Sequence, residues 1–115
     1  MADVDIRYGD REFEAELADS VVSRAKGLSF RTEGKMLFRF ERETLPAIDM
    51  MFLSVPLLLV FMDADKRVVD VQQAEPWTLD PRSWKLYVPE KRSKYLLEST
   101  EFLEVKEGEK LEFEI

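Results

Sequence analysis

The chain contains no cysteine, no histidine and no asparagine, and its only side-chain amides are Gln72 and Gln73. Without thiols no disulfide can staple a small secreted scaffold, so stability has to come from a core. Without imidazole or thiolate, the Ser-His-Asp triad, the cysteine nucleophile and the His/Cys zinc site are excluded. Any acid–base or metal chemistry falls to carboxylates. The scarcity of thermolabile side chains beside 36% charged residues matches a heat-adapted protein rich in ion pairs; the acidic surplus fits a salty cytoplasm equally well.

A long hydrophobic run is also missing. The longest apolar stretch, Met50 to Met62, is broken by Ser54 and Pro56 and bracketed by Asp49 and Asp63, whereas a spanning helix needs about twenty apolar residues. It reads instead as a buried strand, a break and a second buried strand. The opening MADVDIRYGDREFEAEL lacks the basic start, apolar stretch and small-residue cleavage site of a secretory signal. A cytoplasmic setting without a membrane partner is expected. The net charge of −7 and pI near 4.7 would repel phosphate backbones, so nucleic acid is not expected as a partner. At 115 residues with 45% hydrophobic content the chain fits a single domain, 1–115, able to fold alone.

Alternation in Asp5–Tyr8 and Phe13–Leu17 around Gly9-Asp10 predicts an opening hairpin. Asp19 or Ser20 offers an N-cap, Leu17, Val21, Val22, Ala25 and Leu28 fall at helical spacing, and Gly27 is placed to terminate the turn; this predicts one short helix over residues 20–26. Further strands are expected at residues 36–40, 48–53, 57–62, 67–71 and 95–97, with a last hairpin from residues 102–105 and 111–115. Between Ala74 and Pro89 lie three prolines and both tryptophans without a clean period, which predicts an irregular surface excursion.

These segments, in this order, resemble the domain of unknown function 192, also catalogued as uncharacterised protein family 0127, in an archaeal-type version. The resemblance is carried by LADSVVSRAKGLSFR (Leu17 to Arg31), KMLFRF (Lys35 to Phe40), IDMMFLSVPLLLVFMDADKRVVDV, EPW (Glu75 to Trp77) and KYLLE (Lys94 to Glu98). Lys35 stands where the family usually has glycine, Asp49 replaces a different polar residue, and Pro56-Leu57-Leu58 replaces a Pro-Leu-Asp stretch and so loses its acid. Because the family has no agreed activity, the resemblance implies a fold more than a function. The expected class is α+β, mainly β: a compact rolled antiparallel sheet or partial barrel with the one short helix.

Candidate site residues follow from the permitted chemistry. Asp49 sits in an apolar stretch, where burial would raise its pKa and make it a usable acid; pointing outward is the plain alternative. Glu98 is its candidate partner. Arg31 and Arg39 flank the loop around Gly34 and suit an anionic ligand, or surface ion pairs with Glu33 or Glu41. Trp77 and Trp84 offer aromatic faces to a partner or small apolar ligand, or pack their loop onto the body. Asp63-Ala64-Asp65 lacks the remaining ligands of a calcium loop and reads as a turn. Met36, Met50, Met51 and Met62 read as core filler rather than a soft-metal site. No metal and no cofactor are expected.

The leading expectation is a small intracellular, non-enzymatic binding module for a small molecule or protein, engaged through residues 74–89 beside Arg31 to Phe40. Its alternatives are a carboxylate-dependent hydrolase acting on carbohydrate or phosphoester through Asp49 and Glu98, and a structural or oligomer-forming domain. A monomer or weak dimer is expected.

Overall fold

Alternating burial makes the first hairpin. β1 (Asp3–Tyr8) and β2 (Arg11–Ala18) pair antiparallel from Asp3↔Glu16 to Tyr8↔Arg11, and Gly9 at φ 61° makes the turn, a conformation that costs a residue without Cβ nothing. The computed structural model describes residues 3–18 and 27–115. The short helix expected over residues 20–26 lies outside that set.

The connection over residues 19–34 leads into β3 (Lys35–Thr44), which runs parallel to β2 from Glu16↔Met36 to Ala18↔Phe38. The sheet is therefore mixed, where an antiparallel one was expected. A parallel neighbour needs a crossover of about a dozen residues or more, and this connection supplies it. β4 (Leu57–Met62), β5 (Val68–Ala74) and β6 (Ser93–Ser99) complete a six-stranded sheet of order β1-β2-β3-β6-β4-β5. A bulge separates Arg39↔Tyr95 from Thr44↔Ser93. β3 thus runs on to Thr44, beyond residue 40 where the expected strand ends.

All six residues of β4 are buried, as a continuous apolar run on a strand covered on both faces should be. Leu58, Val60 and Met62 join Val4, Ile6, Leu17, Leu37 and Leu97 in one core. Leu57, Leu59 and Phe61 join Met36, Phe38 and Leu96 in a second core on the opposite face. Each fully buried side chain of this size contributes about 1.5–3 kcal/mol.

The first core is finished by Leu103, Val105, Leu111 and Phe113 from the C-terminal segment. That segment forms no strand, contrary to the hairpin expected there. Its backbone is divided between two partners instead: Arg7 and Glu112 exchange hydrogen bonds of 2.8 and 2.9 Å, while Leu111 N–H donates to Lys66 O and Val68 N–H to Glu109 O. The sheet edges do not pair with each other. The C-terminal segment clasps β1 to the start of β5, and Tyr8 Oη donates to Glu104 O to hold it there.

The second core is covered by loops. Residues 48–53 are not the expected strand: Ile48 makes one bridge to Tyr87, Asp49 Oδ1 accepts from Met51 N–H at 3.0 Å, and Phe52 has φ 65°. An Asx turn followed by a left-handed residue cannot continue an extended chain. The excursion of residues 75–92 is irregular, as expected, apart from a 3₁₀ turn at Pro81–Ser83 capped by Asp80.

Leu111→Ala should destabilise the protein by about 2–5 kcal/mol, as much as Leu97→Ala in mid-sheet. Urea denaturation of both variants measures this. A loss under about 1 kcal/mol for Leu111→Ala would show that the clasp is dispensable.

Candidate functional site

On the sheet face that carries the second core, β3 and β6 present Phe38, Phe40, Leu96 and Glu98 by simple alternation. Gly27, Leu28 and Ser29 approach from one side, and Ala47, Ile48, Asp49 and Leu53 from the other. Together with Leu57 they line a half-open cavity of about 260 Å³.

Glu98 is the unusual wall. Its register partners on the neighbouring strands are Met36 on β3 and Leu59 on β4, so within the sheet it has no charged neighbour. It is 6% exposed. Burial pushes its carboxyl up to about 7, the charge of Asp49 adds to the rise, and a hydrogen bond from the Leu28 backbone opposes it. Gly27 makes the close approach possible: a Cβ there would lie 3.2 Å from Glu98 Oε1 and 3.4 Å from Phe38 Cζ, and the residue has φ 51°.

The two carboxylates singled out by sequence thus meet at one cavity, with their environments exchanged. Asp49 was expected inside an apolar strand; it is exposed on a turn. The buried acid is Glu98. Glu98 was legible only as a polar residue closing an apolar strand.

The other candidates lie elsewhere. Arg31 pairs with Glu16 at 2.5 Å, a partner not among those expected, and lines a separate shallow depression with Gly34, Lys35 and Glu101. Arg39 is exposed, opposite Tyr95 in register, and alternation from Phe38 turns it away from the cavity face. Trp77 and Trp84 stack with centroids 6.3 Å apart. Their indole N–H groups donate to Lys85 O and Thr78 O, inside their own loop. Trp77 packs on the second core, while Trp84 stays 53% exposed. Arginines and tryptophans are not brought together.

Leu58, where the family-like acid is missing, is buried in the first core. Its loss therefore leaves the cavity untouched. Met36 and Met50 lie in the second core and Met62 in the first, whereas Met51, expected as core filler, sits on the exposed turn at 43% exposure; the methionines form no common site. Asp63 Oδ1 accepts from the backbone of Asp65 and Arg67, making the turn expected there. Asp70, Glu90 and Glu107 bring carboxylate oxygens within 4.8 Å of one another, the arrangement among the described residues that is able to hold a hard cation. Asp70 Oδ2 already accepts from Gln72 and from Glu90 N–H. A larger depression of about 740 Å³ beside the clasp is lined by charges of both signs, including Arg7, Glu12, Lys66 and Glu112, and encloses no buried polar group.

Sequence reasoning missed Phe30 and Phe52. They are 75% and 60% exposed, stack at 4.9 Å, and each has φ 65°. Phe30 N–H donates to Phe52 O at 2.9 Å. They are chain neighbours of the cavity residues Ser29 and Leu53. A left-handed aromatic costs roughly 1–2 kcal/mol, and no periodicity in the sequence marks either position.

The family described as "Uncharacterized ACR, COG1430" (DUF192) matches residues 4–113. The chain belongs to the DUF192 family. A UPF0127 protein of Pyrococcus abyssi is 32% identical over 109 residues, covering 89% of this chain and 87% of that protein. One from Pyrococcus horikoshii is 33% identical, covering 89% and 84%. A solved protein of unknown function from Novosphingobium aromaticivorans superposes with TM-score 0.77 and 26% identity over 96% of this chain and 83% of its own. A candidate transcription regulator from Sinorhizobium meliloti superposes with TM-score 0.76 at 24% identity, over 96% and 92%, a likeness that carries the fold alone. Neither the Pyrococcus relatives nor the Novosphingobium structure brings a described activity. Among the described residues no helix is long and apolar enough to cross a membrane.

Glu98 makes stability depend on pH. Below about 4.5 the carboxyl is protonated both folded and unfolded; between there and about 7 only the folded state keeps the proton, so stability falls as pH rises across that window. The difference amounts to about 3 kcal/mol. Glu98→Gln should remove this fall, leaving the variant more stable than the parent at pH 8, as measured by urea denaturation at pH 5 and 8. Gly27→Ala should cost about 1–2 kcal/mol in the same assay through its positive φ and the contact with Glu98.

Proposed function

We propose that this DUF192 chain is a small intracellular, non-enzymatic binding module whose ligand is a small molecule held in the Glu98 cavity. The observation that carries the reading is a half-open cavity lined by Leu28, Phe38, Phe40, Ile48 and Leu96, with the buried carboxyl of Glu98 among its walls, a concave site with few convergent polar groups of the kind that takes a small molecule. A cavity of about 260 Å³ sets the scale of the occupant, which is a metabolite-sized body or one end of a longer molecule.

The tryptophan loop has a supporting part in this reading. Ile48 and Tyr87 exchange backbone hydrogen bonds of 2.9 Å, and Trp77 N–H donates to Met50 O. The loop thereby braces the segment that carries Asp49. The reading requires neither nucleic acid nor a membrane.

Fragments of mixed charge, followed by NMR on labelled protein, test it. At least one fragment should shift the resonances of Leu28, Ile48 and Leu96, and Ala47→Trp, at an exposed wall position, should abolish the shifts without unfolding the protein. If no fragment moves those resonances, the cavity is not a binding site.

A second reading has its own observation. A carboxyl that keeps its proton near neutral pH beside an exposed carboxylate is the environment split expected of a general acid and its partner, so a carboxylate-dependent hydrolase of carbohydrate or phosphoester remains in view. Nitrophenyl glycosides and phosphodiesters are the substrates to assay. Turnover lost in both Glu98→Gln and Asp49→Asn would establish it; no turnover by the parent protein would discard it.

A further inference from the structure

We propose that the Glu98 cavity is built for a small organic cation, an ammonium head on a short apolar body. The inference rests on reading the cavity as a binding site and specifies what enters it. Among the described wall residues the ionisable groups are Asp49 and Glu98, and both are acidic. The remaining walls are Leu28, Phe38, Phe40, Ile48, Leu53, Leu57 and Leu96, with Gly27, Ser29 and Ala47 at smaller positions. An anionic ligand would meet two like charges there, and a purely apolar one would leave the buried carboxyl with the Leu28 N–H as its hydrogen-bond donor.

An ammonium head answers each wall in turn. It donates charge-assisted hydrogen bonds to Glu98, the strongest pairing a buried carboxylate has open to it. Phe38 and Phe40 line the cavity and bring aromatic rings within reach of a bound cation, which an aromatic ring attracts. Asp49, exposed beside the buried acid, draws cations toward the opening. Gly27 keeps this wall small: a side chain there would press on Glu98 Oε1 at 3.2 Å. Since Met36 and Leu59 flank Glu98 within the sheet, neither strand neighbour supplies a positive charge in the ligand's place.

Binding should then follow the ionisation of Glu98. With its carboxyl near 7, about one tenth is ionised at pH 6, so a cation should bind about tenfold more weakly there than at pH 8.

The experiment compares three probes of matched length, n-butylammonium, 1-butanol and butyrate, titrated into the full chain at pH 6 and pH 8 and read by chemical shifts at the cavity. The expected result is that butylammonium binds at pH 8 at least about tenfold more tightly than butanol, that butyrate does not bind, and that the preference falls at pH 6. Glu98→Gln should remove the preference, and Asp49→Asn, a change at an exposed turn, should weaken butylammonium binding while leaving butanol unchanged. Equal binding of butanol and butylammonium, or binding of butyrate, would overturn the cation assignment while leaving the binding module standing. Absence of all three, together with silence from the mixed fragments, would overturn both.

Discussion

Covering β4 on both faces is the constraint on which the rest of the structure depends. Six consecutive buried residues demand a cover on each side, and a single sheet of this length cannot supply both. The two covers are made differently. One is the C-terminal segment, anchored by backbone hydrogen bonds to β1 and to the turn before β5; the other is a set of loops pinned by Asx turns, the Ile48–Tyr87 bridge and left-handed residues. The depression beside the clasp is lined by charges of both signs. The cavity that holds a buried carboxyl lies under the loop cover.

That division explains where polar groups are tolerated. Ser99 and Glu98 are adjacent on β6 and both are buried, but they face opposite covers. Ser99 Oγ donates to Glu101 O and accepts from Glu101 N–H, so its partners are local and complete. Glu98 faces the loose cover, where desolvation outweighs the single backbone hydrogen bond that favours its charge. A buried carboxyl of this kind lowers stability at neutral pH, and the fold retains it at the one place where a cavity gives it access to something other than protein.

The period-two hairpin, the continuous apolar run of β4 and the irregular tryptophan loop were legible because each rests on local physics: alternation, two-sided burial and proline content. The strand expected at residues 48–53 was not, because its apolar composition says that it is buried without saying in what conformation; Asp49 accepting from Met51 N–H decides that. The terminal segments looked like a hairpin by the same alternation, yet their hydrogen bonds go to β1 and Lys66–Val68, partners remote in sequence. The site was half legible. Asp49 and Glu98 were named, but which of them is buried depends on the crossing of β6 with the loop from Ala47, and no periodicity encodes that.

The clasp also sets an order of events in making the molecule. Arg7 lies in the first strand, and its bridge partner Glu112 lies near the far end of the chain; Leu103, Val105, Leu111 and Phe113 are the side chains that seal the first core. Contacts of such long sequence separation slow folding, and a chain emerging from the ribosome cannot make them until those residues are out. The N-terminal hairpin must therefore wait with one apolar face uncovered until residues 103–113 have been made, and the first core is sealed in a single late closure rather than strand by strand.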